Sequence, residues 1–302
     1  MPYPVRCALV IPKDAEAWAE DAAPLVENTI KAMRNWMEHE TGYTFSYEYQ
    51  VKRVTKTLAE LQTNDAGNVT ARDAFGEGIH EGRVYELFDT ELGWPKTLDA
   101  GPYRTYRRWA NVIGGGGWAG GRHGQSTIAD GSPGEDYGEC IYGDWDWRYF
   151  VTGTNSPGCA GGPYDDGRFP TLAAKELSGS SAHEATHMFG MDSHNPVIWL
   201  NNVENAMTAA HKQQFINNNR RFIEPKVWNF TLDDMAAAMT QQSLYKPEYD
   251  FTYEGRITSA DLAKASAVGV KAKTTTPPVV VRSVKELVTE AAALLAEAKL
   301  RL

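Results

Sequence analysis

Apolar residues change period repeatedly along the first part of the chain. Cys7-Ala8-Leu9-Val10-Ile11 is an unbroken apolar run of strand length, and it predicts a buried strand over about residues 5–12. The period then becomes helical: Ile30, Met33, Trp36 and Met37 fall on one face of a helix expected from near Asp14 to Glu40, with Pro24 placed to split or kink it. A second strand is expected over Phe45–Val54, a second helix over about His80–Leu92, and a third strand over Arg104–Ile113. This strand–helix–strand–helix–strand order suits a twisted sheet covered by helices.

Further along, residues 137–151 are rich in aromatics with partial alternation. They predict a strand with one buried face in preference to a sugar-binding platform. Thr208 caps a helix expected over Ala209–Asn219, and Thr231 with Asp234 has capping-pair spacing ahead of a helix expected over Leu232–Leu244. Past about residue 268 the composition shifts. Lys271 to Pro278 has little to bury and reads as an extended linker. Ser283 and Glu286 then form a capping box for a last helix to about Arg301. Val284, Leu287, Ala291, Leu294 and Ala298 recur at 3-4-3-4 spacing, a short coiled-coil seam. So short a seam is marginal alone, so this helix is expected to pack on a partner chain, another copy or the rest of the molecule.

Composition narrows the function classes. The 302 residues are 42% hydrophobic and 23% charged, ordinary for a soluble globular protein. A net charge of −9 argues against non-specific nucleic-acid binding and against a basic membrane-binding face. No apolar run is long enough to span a bilayer. Met1 to Arg6 leads straight into the first strand, without the charged and long apolar regions of a secretory signal. The expected locations are therefore extracellular or virion-associated by a non-Sec route, or cytoplasmic. Three cysteines are too few for a disulfide scaffold; Cys140 and Cys159 could pair, or all three could stay free.

The chemistry concentrates in residues 183–194, His-Glu-Ala-Thr-His-Met-Phe-Gly-Met-Asp-Ser-His. Residues four apart on a helix lie about 40° apart around its axis, so His183 and His187 leave the same face at a spacing one zinc ion can bridge. Glu184 stands beside the first ligand, where a carboxylate can deprotonate a metal-bound water. Gly190 can take a positive φ and end the helix, turning the chain back toward the metal. Thr171 is an N-cap for a helix running to Phe189. Elsewhere the signals are weaker. Gly114 to Gly121 lacks the Gly-Lys-Ser/Thr of a phosphate loop, His123 reads as a surface loop residue, and His211 as structural. Asp165-Asp166-Gly167 could hold calcium but reads first as a turn.

The His-Glu-x-x-His-x-x-Gly pattern of His183, Glu184, His187 and Gly190 resembles the metzincin clan of zinc metallopeptidases. Met207, in Glu204-Asn205-Ala206-Met207-Thr208, matches the methionine turn beneath the metal in that clan. The resemblance implies one catalytic zinc held by His183, His187 and a third ligand, with Glu184 as general base. The clan places the third ligand three residues after the glycine, and here that residue is Ser193. His194, one residue later, is the favoured third ligand, with Asp192 the alternative. The tyrosine that some members carry two residues after the methionine is Ala209 here. The implied fold is α+β, with an α/β-like upper subdomain over residues 1–190 and a small irregular and helical lower subdomain over 191–267. A linker over 268–281 and an amphipathic helix over 282–302 follow. The glycine-rich stretch would lead into an edge strand lining the cleft, onto which a substrate backbone could add.

The resulting expectation is a zinc-dependent endopeptidase that hydrolyses peptide bonds of a protein or peptide substrate through a zinc-bound water. The alternative is a structural or adhesive subunit of a particle, such as a phage tail component, on a peptidase fold. A zinc amidase acting on cell-wall peptide would use the same residues.

Overall fold

The computed structural model describes residues 2–62, 71–72, 76–77, 81–94, 105–113, 119–127, 133–143, 151–153, 183–191, 207–252 and 256–273. The fold is mixed α and β around a five-stranded, mostly parallel sheet. Strand β1 (Val5–Ile11) is an interior strand buried on both faces, which its unbroken apolar run anticipates. A 3₁₀ turn (Ala17–Ala22) leads into helix α1 (Ala23–Thr41). Pro24 does not kink a long helix as the sequence suggested. It occupies the first turn of α1, where a missing N–H costs nothing. Gly42 ends α1 at φ 73°.

The single strand expected over Phe45–Val54 is two strands, β2 (Tyr43–Phe45) and β3 (Tyr47–Arg53). The break at Ser46 lets β3 join β1 while β2 pairs elsewhere. Helix α2 (Leu58–Gln62), a small hairpin of β4 (Ala71–Arg72) and β5 (Gly76–Glu77), and helix α3 (Glu81–Thr90) follow. Strands β6 (Thr105–Val112), β7 (Ala119–Thr127) and β8 (Pro133–Gly143) complete the sheet in the order β3-β1-β6-β8-β7. The first four strands of that order run parallel, and β7 is an antiparallel edge strand on β8.

Alternation along the strands divides the core into two faces. Cys7, Leu9, Ile11, Trp109, Ile113 and Cys140 point to the side covered by α1, through Val26, Ile30, Met33, Trp36 and Met37. Helix α4 (residues 183–188) adds Ala185 and Met188 to the same core. Ala8, Val10, Ala110, Val112 and Ile141 point the other way and pack with Leu61 of α2 and Val84, Leu87 and Phe88 of α3. Cys7 and Cys140 are both free, buried thiols.

The C-terminal part consists of α5 (Ala209–Asn218), β9 (Ile223–Pro225), α6 (Leu232–Thr240) and α7 (Ser259–Ala267), with β9 antiparallel to β2. Phe230, Met235, Tyr249, Phe251, Ile257 and Val270 form a small core of their own. Residues 268–273, expected to begin the linker, are docked: Val270 is buried, and the Leu232 N–H donates to the Lys271 carbonyl at 2.9 Å. The remainder of the linker, the final helix, Cys159 and Asp165–Gly167 lie outside the described residues. Among the described residues no helix is long and apolar enough to cross a membrane.

Candidate metal centre

Helix α4 carries the chemistry and ends where the sequence says it should. Gly190 takes φ 71°, a conformation open to a residue without Cβ. The Gly190 N–H donates to the His187 carbonyl at 2.9 Å and the Met191 N–H to the Thr186 carbonyl at 3.0 Å, the paired bonds of a Schellman stop. Ala185, Met188 and Phe189 are fully buried and anchor the helix, and Met191 and Met207 lie in the same core cluster.

The anchored face fixes where the imidazoles go. His183 is buried and His187 half-buried, with ring centroids 5.1 Å apart and planes at 87°. Two imidazoles bound to one zinc at about 2.0–2.1 Å and a near-tetrahedral angle would place their centroids about 5 Å apart. The observed separation matches that value, and it is equally that of an edge-to-face ring contact. Glu184, between them in sequence, is half-buried and within electrostatic reach of Cys140 on β8. The Cys140 thiol is pushed well up, first by burial and then by the Glu184 charge, so it stays protonated beside the site. Among the described residues no three His, Cys, Asp or Glu side chains converge as a metal-binding group. His194, the alternative Asp192 and the segment 192–206 lie outside those residues.

Two features of the site's frame have little signature in the sequence. The first is Gly138 on β8. A Cβ there would come within 1.8 Å of the Met188 carbonyl oxygen, so α4 rests its backbone directly on the strand. The second is Arg107 on β6, whose guanidinium is fully buried. Its Nε donates to Asn219 Oδ1 at 2.9 Å, and its Nη2 donates to Asp136 Oδ1 at 2.7 Å and to the Asn218 carbonyl at 2.9 Å. Its Nη1 donates to the carbonyls of Tyr106 and Asp136 at 3.0 and 3.1 Å. Burial pushes the Asp136 carboxyl up, but hydrogen bonding with His123 and the Arg107 charge outweigh it and hold the group below the usual carboxylate range.

His123 is not a surface loop residue. It lies in β7, with Nε2 3.3 Å from Arg107 Nη2 and 3.6 Å from Asp136 Oδ1, and its ring packs where a Gly190 side chain would stand. His211 caps α5: its N–H donates to Thr208 Oγ1 at 3.2 Å while its Nδ1 accepts from the Thr208 N–H at 3.3 Å. The one sequence hint of the Arg107 cluster is the asparagine run 217–219 at the end of an expected helix.

No family model matches the chain, and no curated protein does. Among solved structures, wild-type OgpA from Akkermansia muciniphila is similar over 62% of this chain at 12% identity and a TM-score of 0.32. The chain covers 48% of that protein, about half its length. A likeness of that depth assigns neither family nor activity.

Proposed function

We propose that the chain is a zinc-dependent endopeptidase of metzincin type. The observation that carries this reading is the perpendicular His183–His187 pair, 5.1 Å apart on a helix ended at Gly190, with Glu184 between them. A helix that merely buried two histidines would have no need of a carboxylate at that position. The antiparallel edge strand β7 adds support. Among the described residues no strand pairs with its outer edge, so an extended peptide has a row of backbone donors and acceptors to join.

His183 and His187 would hold the ion, with His194 the favoured third ligand. When bound, zinc supplies a Lewis acid that polarises the scissile carbonyl and acidifies a water. Glu184 takes a proton from the attacking water and passes it to the leaving amine, which makes it base and then acid in one turnover. Its half-buried setting limits competition from solvent for the carboxylate. The reading is tested by incubating the purified chain with casein, and separately with peptidoglycan, before and after treatment with a zinc chelator. Casein cleavage that stops with the chelator and returns with added zinc is expected. Cleavage indifferent to the chelator contradicts the reading, and turnover of peptidoglycan alone replaces it with an amidase.

A further inference from the structure

The last turn of α4 is held by side chains that begin far away in sequence. Asn218 Nδ2 donates to the Gly190 carbonyl at 2.7 Å, and Asn219 Nδ2 donates to the carbonyls of Phe189 and Phe215, both at 2.8 Å. Those two amides work only in one orientation, with nitrogen toward the helix end. Arg107 enforces it for Asn219 by donating Nε to Oδ1, and holds Asn218 by donating to its backbone carbonyl. Asp136 in turn fixes the guanidinium from β8, and His123 on β7 stands 3.3 Å from Nη2. Gly190 itself donates to the His187 carbonyl, so the clamp on Gly190 reaches the turn that aims the second imidazole.

We propose that Arg107 is a positioning residue of the metal centre, acting through Asn218 and Asn219 to fix the end of α4 and the orientation of His187. This rests on the zinc-peptidase reading above. A join that served packing alone would be met by apolar side chains, because burying a guanidinium costs more desolvation than an apolar contact. Here every N–H direction of the guanidinium is spent on an acceptor, and two of those acceptors belong to the residues that hold the helix end. Partners that orient a ligand in this way tune metal affinity as well as structure.

The test compares wild type, Asn218→Ala, Arg107→Lys, His187→Ala and the remote cap variant Thr231→Ala in the full chain. Zinc affinity is read by competition with a chromophoric chelator, and ligand geometry by the visible absorption of the cobalt(II)-loaded protein. Asn218→Ala and Arg107→Lys are expected to bind zinc about tenfold more weakly or worse, with an altered cobalt spectrum. Thr231→Ala, which loses stability elsewhere, should match wild type in both readouts. Lysine keeps the charge but not the planar fork, so Arg107→Lys separates charge from geometry. Should Arg107→Lys fail to fold, Asn218→Ala decides. A folded Arg107→Lys or Asn218→Ala with wild-type affinity and spectrum, beside a His187→Ala that has lost zinc, overturns this inference and leaves the peptidase reading standing. A wild-type chain that binds no zinc overturns the peptidase reading and the inference with it.

Discussion

His39 is an imidazole buried in the C-terminal core, where burial opposes its protonation. It stacks on Phe251 with centroids 4.0 Å apart and is 3% exposed. Burial first, then the charges of Lys264 and Lys226, pull its pKa down to about 3, against a partial opposing effect of Asp261. An unfolded chain takes up this proton near pH 6.5, whereas the folded chain refuses it until about pH 3. The unfolded state therefore binds more protons in that window, and stability falls as the pH drops through it, by about 1.4 kcal/mol per pH unit. His39→Phe keeps the stack and removes the proton site. Between pH 7 and pH 5 the wild type should lose about 2 kcal/mol more than the variant in urea unfolding. Equal losses would show that His39 does not titrate with folding.

At the scale of elements, the approach of α4 to β8 controls the site. Gly138→Ala places a methyl 1.8 Å from the Met188 carbonyl oxygen, and neither backbone can yield without moving the helix. The variant should lose about 2–3 kcal/mol in chemical denaturation and bind zinc more weakly, since both imidazoles ride on α4. Wild-type values of both would mean that the helix has freedom the contact denies. Elements whose signals are local were legible in the sequence: β1 from its apolar run, α5 and α6 from Thr208 and from Thr231 with Asp234, and the end of α4 from Gly190. Where the deciding partner is distant, sequence did not show it. Arg107 and Arg108 look like solvent-facing charges in a strand, yet both are buried because Asp136, Glu139 and Asn219 lie across the fold. Helix α7 has a weak signature in the sequence, although Asp261 reaches back to the Thr258 N–H at 2.7 Å with the same three-residue spacing as the other caps. Its apolar pattern is too short to announce a helix before the third core is assembled.

Across the whole molecule, the end of α1 ties the sheet to the C-terminal elements. Glu40 is 2% exposed, pairs with Lys212 of α5 at 3.1 Å, and also pairs with Lys264 of α7. Glu38 pairs with Lys226 at 2.7 Å and accepts from the Thr44 hydroxyl. Glu40→Ala removes the common partner of two part-exposed lysines and should cost about 1–2 kcal/mol. Hydrogen exchange should then quicken in α7 before it quickens in β1 or β6; unchanged protection in α7 would mean that the pairs do not carry the join. Within this frame the end of α4 is held from the C-terminal part by Asn218 and Asn219, whose amides donate to the Gly190 and Phe189 carbonyls.

In the proposed function Glu184 performs the proton transfers beside a zinc ion held by His183 and His187. That role is tested most directly by measuring zinc content and casein turnover in parallel for wild type and Glu184→Ala. One zinc per chain is expected in both proteins, with turnover lost only in the variant. Cleavage by Glu184→Ala at the wild-type rate would contradict it.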